Sequence, residues 1–129
     1  MSIADHLKVL IVDDHRTSRM LIRDALEQLG IKQIVFACDG EEALKAMMQT
    51  PCHIIISDFN MPKLDGIQLL KAIRSYGATK KTPFIILTSK GDRELVMKAA
   101  QLGVNNFLAK PITVPVLKKT IEAVVGRLQ

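Results

Sequence analysis

At 129 residues the chain has the length of one ordinary domain, and a hydrophobic fraction of 48 % gives it ample core material. No apolar run approaches the ~20 residues of a membrane span. Asp5 with only Lys8 as a base argues against a cleaved signal peptide, so a soluble, cytoplasmic domain over residues 1–129 is expected. The net charge of +5 raises nucleic acid as a partner, but aromatic residues make up only 4 % and no basic run or reading motif appears. A generic basic surface is the better reading, with no nucleic acid and no membrane. Cys38 and Cys52 form no disulfide framework or zinc cluster and read as buried, reduced, small apolar residues.

Taken in chain order, a strand at 9–12 runs into Asp13-Asp14, and an apolar stripe of Leu21, Ile22, Ala25, Leu26 and Leu29 predicts a helix stopped at Gly30. A second strand at 34–37 leads to Asp39 and Glu42, spaced like a capping box ahead of Ala43, Leu44, Met47 and Met48. The third strand, 54–56, ends in Ser57-Asp58 and precedes a helix carrying Leu69, Leu70 and Ile73. The fourth, 84–87, ends in Thr88-Ser89 and precedes one carrying Leu95, Val96, Ala99 and Ala100, stopped at Gly103. A fifth, 107–109, ends in Lys110-Pro111. Thr113 and Pro115 then open a last helix with Leu117, Ile121, Val124, Val125 and Leu128 on one stripe.

The first four runs are rich in Val, Ile and Phe, as strands buried on both faces of a parallel sheet are. The methionines read as core filling. The (βα)₅ alternation predicts an α/β domain of three layers around a doubly wound, parallel, five-stranded sheet. Ligands of such sheets bind outside the carboxyl ends of the strands. There stand Asp13, Asp14, Asp58, Thr88 and Lys110.

Two carboxylates ~5 Å apart repel by roughly 3 kcal/mol at an effective dielectric of 20, so three in one pocket call for a cation or raised pKa values. An all-oxygen site with few protein ligands suits Mg²⁺. The competing reading, that Asp13 and Asp14 simply start the next helix, loses ground once Asp58 and Lys110 share the rim. A metal-bound carboxylate beside a lysine fits phosphoryl transfer, where positioning and charge neutralisation do most of the catalysis and a carboxylate can attack as nucleophile.

With VLIVDDH, ISDFNMPKLDG, ILTSKG and LAKPI in order, each at a strand end, the chain resembles the response-regulator receiver family, and within it the single-domain CheY-like chemotaxis regulators. The resemblance covers essentially the whole chain. It implies a flavodoxin-like strand order 2-1-3-4-5, for which CheY is a standing example. It implies phosphorylation at Asp58 and Mg²⁺ (Mn²⁺ able to substitute) held by Asp14 and Asp58, by Asp13 through water, and by the Asn60 carbonyl. It further implies Thr88 and Lys110 moving onto the phosphoryl group, Phe107 at the aromatic switch position, Pro62 and Gly66 shaping the loop after Asp58, small Ser89 giving access, and a cis Lys110–Pro111 bond. Lys90 replaces the acid of the enterobacterial protein, so that system's dephosphorylation partner is not carried over.

The implied function is two-component signalling. A CheA-like histidine kinase phosphorylates Asp58, and the monomeric chain, without an output domain, acts in trans on a flagellar switch protein or another phosphotransfer protein. It catalyses only its own phosphorylation and dephosphorylation. A phosphate sink or relay is the alternative. A small Mg²⁺-dependent phosphatase is a remote one, since its DxD pattern is broken by Asn60 and His15, and a flavin carrier lacks its phosphate loop. Residues 90–129 hold seven bases against three acids, 7 − 3 = +4, so Lys90, Lys98, Lys118 and Lys119 are candidates for a partner surface. His15 reads as a surface residue at a helix start, and His6 and His53 carry no assigned role.

Overall fold

The computed structural model describes residues 3–59, 61, 64–88, 93–126 and 128. Its elements are α1 (Ile3–His6), β1 (Lys8–Val12), α2 (Arg16–Gln28), β2 (Gln33–Ala37), α3 (Gly40–Gln49), β3 (Ile54–Asp58), α4 (Gly66–Ser75), β4 (Phe84–Thr88), α5 (Arg93–Gln101), β5 (Asn106–Ala109) and α6 (Val114–Val125). The strands form one parallel sheet in the order β2-β1-β3-β4-β5.

Strand alternation sorts the apolar residues onto two faces. Val9, Ile11, Ile54, Ile56, Ile85 and Leu87 join α2 and α6 in one core cluster; Leu10, Val12, Ile55, Phe84 and Ile86 join α3, α4 and α5 in the other. Each such side chain contributes about 1.5–3 kcal/mol on burial. The short α1 was not foreseen. It carries Ala4 into the first cluster and is tied to the C-terminus by Ala4 N–H donating to the Leu128 carbonyl at 3.3 Å.

Gly30 and Gly103 end α2 and α5 with φ of +87° and +88°, as expected of helix stops. A full capping box stands at Asp65 and Gln68 instead of at Asp39. Asp39 does accept from Glu42 N–H, but the Glu42 carboxylate reaches back to Cys38 N–H. Thr113 occupies the N-cap of α6 without a side-chain bond to it.

Five readings need correction. The last helix stops at Val125, with Gly126 at its C-cap, so buried Leu128 lies beyond it and not on its stripe. β2 is half-exposed, because an edge strand lacks a neighbour on one side. Cys38 is exposed, lying past the end of β2, whereas Cys52 is buried. Leu21, Met48 and Val96 stand at the outer margins of their helical stripes and are exposed. Met97 is exposed as well, so core filling holds for Met47 but not for every methionine. No helix among the described residues is long and apolar enough to cross a membrane.

Candidate functional site

The sheet's register builds the site. Val12 pairs with Ser57, Asp58 with Leu87 and Thr88 with Ala109, so the residues that follow or close these strands share one rim. Main-chain bonds extend the ladder past the strand ends. Asp13 N–H donates to the Ala37 carbonyl at 3.1 Å, and Lys110 N–H to the Thr88 carbonyl at 2.9 Å. The Lys110–Pro111 peptide is cis.

Asp13 is fully buried; Asp58 and Thr88 are buried, and Asp14 is exposed. Lys110 Nζ lies 3.1 Å from Asp58 Oδ1 and 3.8 Å from Asp13 Oδ2. Phe59 N–H donates to Asp58 Oδ1 at 2.9 Å, which fixes the carboxylate from its own backbone. Burial pushes the Asp58 carboxyl above the usual aspartate range, and the Asp13 charge adds to this. Lys110 and the Phe59 amide pull the other way without cancelling it.

Asp13 is oriented by its neighbours. His15 N–H donates to its Oδ1 at 2.9 Å, and the Arg19 guanidinium donates to its main-chain carbonyl at 2.7 Å. Its Oδ2 is buried with no hydrogen-bond donor, since Lys110 at 3.8 Å is beyond hydrogen-bond reach. Leaving a buried carboxylate oxygen in that condition costs more than the ~1–3 kcal/mol of a neutral group. A cation would relieve it, and oxygen or nitrogen atoms of Asp13, Asp14, His15 and Asp58 lie within 4.8 Å of one another. These residues fit a divalent ion.

The loop after Asp58 has little room. A Cβ on Gly66 would stand 2.7 Å from the Asp58 carbonyl oxygen and 3.0 Å from Phe59 Cα. The start of α4 is therefore packed directly on the backbone that carries Asp58. Phe107 is half-buried on β5 against the α3–α4–α5 core. Asn60, Pro62, Ser89 and Lys90 lie outside the described residues.

Sequence reading missed two contributors. His15 is a surface residue by its sequence position, and its ring is 71 % exposed, yet Nδ1 sits 3.0 Å from Asp14 Oδ1 and 3.4 Å from Asp13 Oδ1. Arg19 was not singled out at all. A polar residue next to the acidic pair, and an arginine one helical turn beyond it, were the available signals. His53 Nδ1 accepts from Lys8 N–H, a bond between chain segments and not a site.

Comparison with known proteins gives the same picture. Residues 9–122 match the response regulator receiver domain. A probable chemotaxis protein CheY of Rhizobium etli is 60 % identical over 129 residues, all of both chains. The chemotaxis protein CheY1 of Helicobacter pylori is 37 % identical, covering 93 % of this chain and 98 % of its own. Among solved structures, the chemotaxis response regulator CheY4 of Vibrio cholerae superposes with a TM-score of 0.84 at 33 % identity, over 92 % of this chain and 98 % of that one. The receiver domain of a sensor histidine kinase from Pseudomonas aeruginosa, with magnesium coordinated in its active-site cleft, gives 0.84 at 26 %, over 93 % and 98 %. With rim residues, strand order and full-length likeness in agreement, this chain belongs to the response regulator receiver family, as a CheY-like member.

Proposed function

We propose that this CheY-like receiver takes its phosphoryl group on Asp58 from a histidine kinase and acts in trans on the flagellar switch. The observation that carries the site assignment is the convergence of Asp13, Asp14, Asp58 and Lys110 on one rim, with Asp13 Oδ2 lacking a donor. An Asp58 carboxylate oxygen attacks the phosphorus of a phosphohistidine. The P–O bond forms as the P–N bond breaks, and the imidazole leaves with a proton from water. Water later attacks the acyl phosphate, releasing inorganic phosphate and restoring the carboxylate.

Asp14 and Asp58, with Asp13 through water and the Asn60 carbonyl, would hold Mg²⁺. Bound there, the ion supplies positive charge to the phosphoryl oxygens. The magnesium in the cleft of the Pseudomonas receiver supports that choice of ion. Lys110 neutralises a second phosphoryl oxygen, and the Thr88 hydroxyl donates to a third. Both leave their unphosphorylated positions to do so, and Phe107 repacks against the core in step, which links the rim to α5, β5 and α6.

That output face is basic and partly apolar. Lys98 and Lys119 are exposed, as are Met97 and Val116, while Lys118 is half-buried and so less available than its sequence suggests. An acidic groove or peptide with an apolar centre fits it. The receiver works as a monomer and signals by binding its partner. The test is labelling by a small phosphodonor. Incorporation should require Mg²⁺ or Mn²⁺ and be abolished in Asp58→Asn; undiminished labelling of that variant would sink the assignment.

A further inference from the structure

His15 is the one imidazole among the described residues of the acidic pocket, and the receiver chemistry proposed above does not use it. Its Nδ1 is 3.0 Å from Asp14 Oδ1 and 3.4 Å from Asp13 Oδ1. Adjacent ligands of an octahedral ion with ~2.1 Å bonds stand ~3.0 Å apart. The imidazole thus already lies at the spacing of a neighbouring ligand in one coordination sphere. Two features hold it there. Its own N–H is bonded to Asp13 Oδ1, and α2 begins at the next residue, so the backbone that carries the ring is fixed beside the pair. The second, independent sign of a cation is Asp13 Oδ2, buried and without a hydrogen-bond donor.

We propose that His15 Nδ1 is a ligand of the cation, and that it makes this pocket prefer Mn²⁺, Co²⁺ or Zn²⁺ over Mg²⁺. Mg²⁺ is a hard ion that takes oxygen donors, whereas first-row transition ions accept imidazole readily. Without a cation, Nδ1 stands beside the Asp14 carboxylate. With one bound, the Nδ1 lone pair would face the ion. The inference rests on the reading of the acidic pocket as a cation site.

The test uses the full unphosphorylated chain with Mn²⁺ and Mg²⁺ as the only probes. Electron spin-echo modulation from a directly bound imidazole nitrogen should appear on Mn²⁺ in the wild type and vanish in His15→Ala. His6 and His53, left in place, serve as internal controls. By calorimetry, His15→Ala should weaken Mn²⁺ by at least about tenfold and Mg²⁺ by clearly less. His15→Gln, which offers an oxygen in place of the nitrogen, should shift the preference toward Mg²⁺. Mn²⁺ binding without nitrogen modulation, or an equal loss for both ions, overturns the imidazole ligand and leaves the oxygen site intact. Failure of the wild type to bind either ion overturns the cation site and this inference with it.

Discussion

At the rim, Asp13, Asp58 and Thr88 are buried, Phe59 N–H and His15 N–H point at the two carboxylates, and Lys110 is set between them by the end of β5. On α5 and α6, by contrast, Lys98, Lys119, Met97 and Val116 stand in solvent. The first region is fixed by main-chain geometry, so small displacements there should be costly. The second is a surface whose partner decides what each side chain is worth. Chemistry should therefore be intolerant at the rim, and binding graded on the face.

The largest effect expected at the rim comes from the glycine beneath Asp58. In Gly66→Ala the new methyl meets the Asp58 carbonyl and the Phe59 backbone, which cannot swing aside as a side chain could. The loss should be about 2–4 kcal/mol in urea unfolding, with slower phosphorylation of the protein that remains folded. A variant as stable and as fast as wild type would show that this packing does not constrain the site.

Next come the two groups that join the regions. Thr88→Ala and Lys110→Ala should still accept phosphate, more slowly, yet lose most of the phosphorylation-dependent gain in partner affinity. Such coupling is worth about 1–3 kcal/mol, or roughly 5–150-fold. Binding assays with and without phosphodonor measure it, and full retention in Lys110→Ala would remove that residue from the switch.

A smaller effect follows from the raised Asp58 pKa. Below the usual aspartate value both folded and unfolded chains carry the proton, and the full contribution to stability is present. As pH rises through the usual value and then the raised folded value, the buried group must ionise and that contribution is lost. Without divalent cations, Asp58→Asn should thus melt above wild type at neutral pH. The gap should close by about pH 3, and added Mg²⁺ should raise only the wild-type melting temperature. A gap that persists into acid would assign it to something other than ionisation.

The smallest effect is on the face. Charge reversal at Lys98 and Lys119 should slow association with the partner several-fold at low salt, less at high salt, and leave labelling of Asp58 unchanged. Reversal at half-buried Lys118 should also cost stability. Indifference to both charge and salt would move the output surface elsewhere.

The same contrast explains what the sequence made legible. Rim residues could be read because each follows an apolar run, and a parallel sheet brings such positions together; strand order came from resemblance. His15 and Arg19 escaped because their roles depend on the turn after β1, where an exposed ring approaches the acidic pair and a guanidinium bonds the Asp13 carbonyl. Arg74 escaped likewise. It donates to the carbonyls of Thr82 and Gly103 and to Asn105 Oδ1, tying α4 to segments distant in sequence. Leu21 shows that an apolar residue at the margin of a helical stripe can face water, because periodicity gives a face but not the extent of what covers it. Cys38 was misread because residue type alone cannot show where an edge strand stops.

The most direct test of the central claim is to locate the phosphoryl group itself. After labelling with a small phosphodonor and Mg²⁺, borohydride reduction of the acyl phosphate should leave homoserine at position 58 and at no other aspartate, as read by peptide mass spectrometry. Homoserine at Asp13 or Asp14, or a phosphoryl group that resists borohydride altogether, would contradict the account.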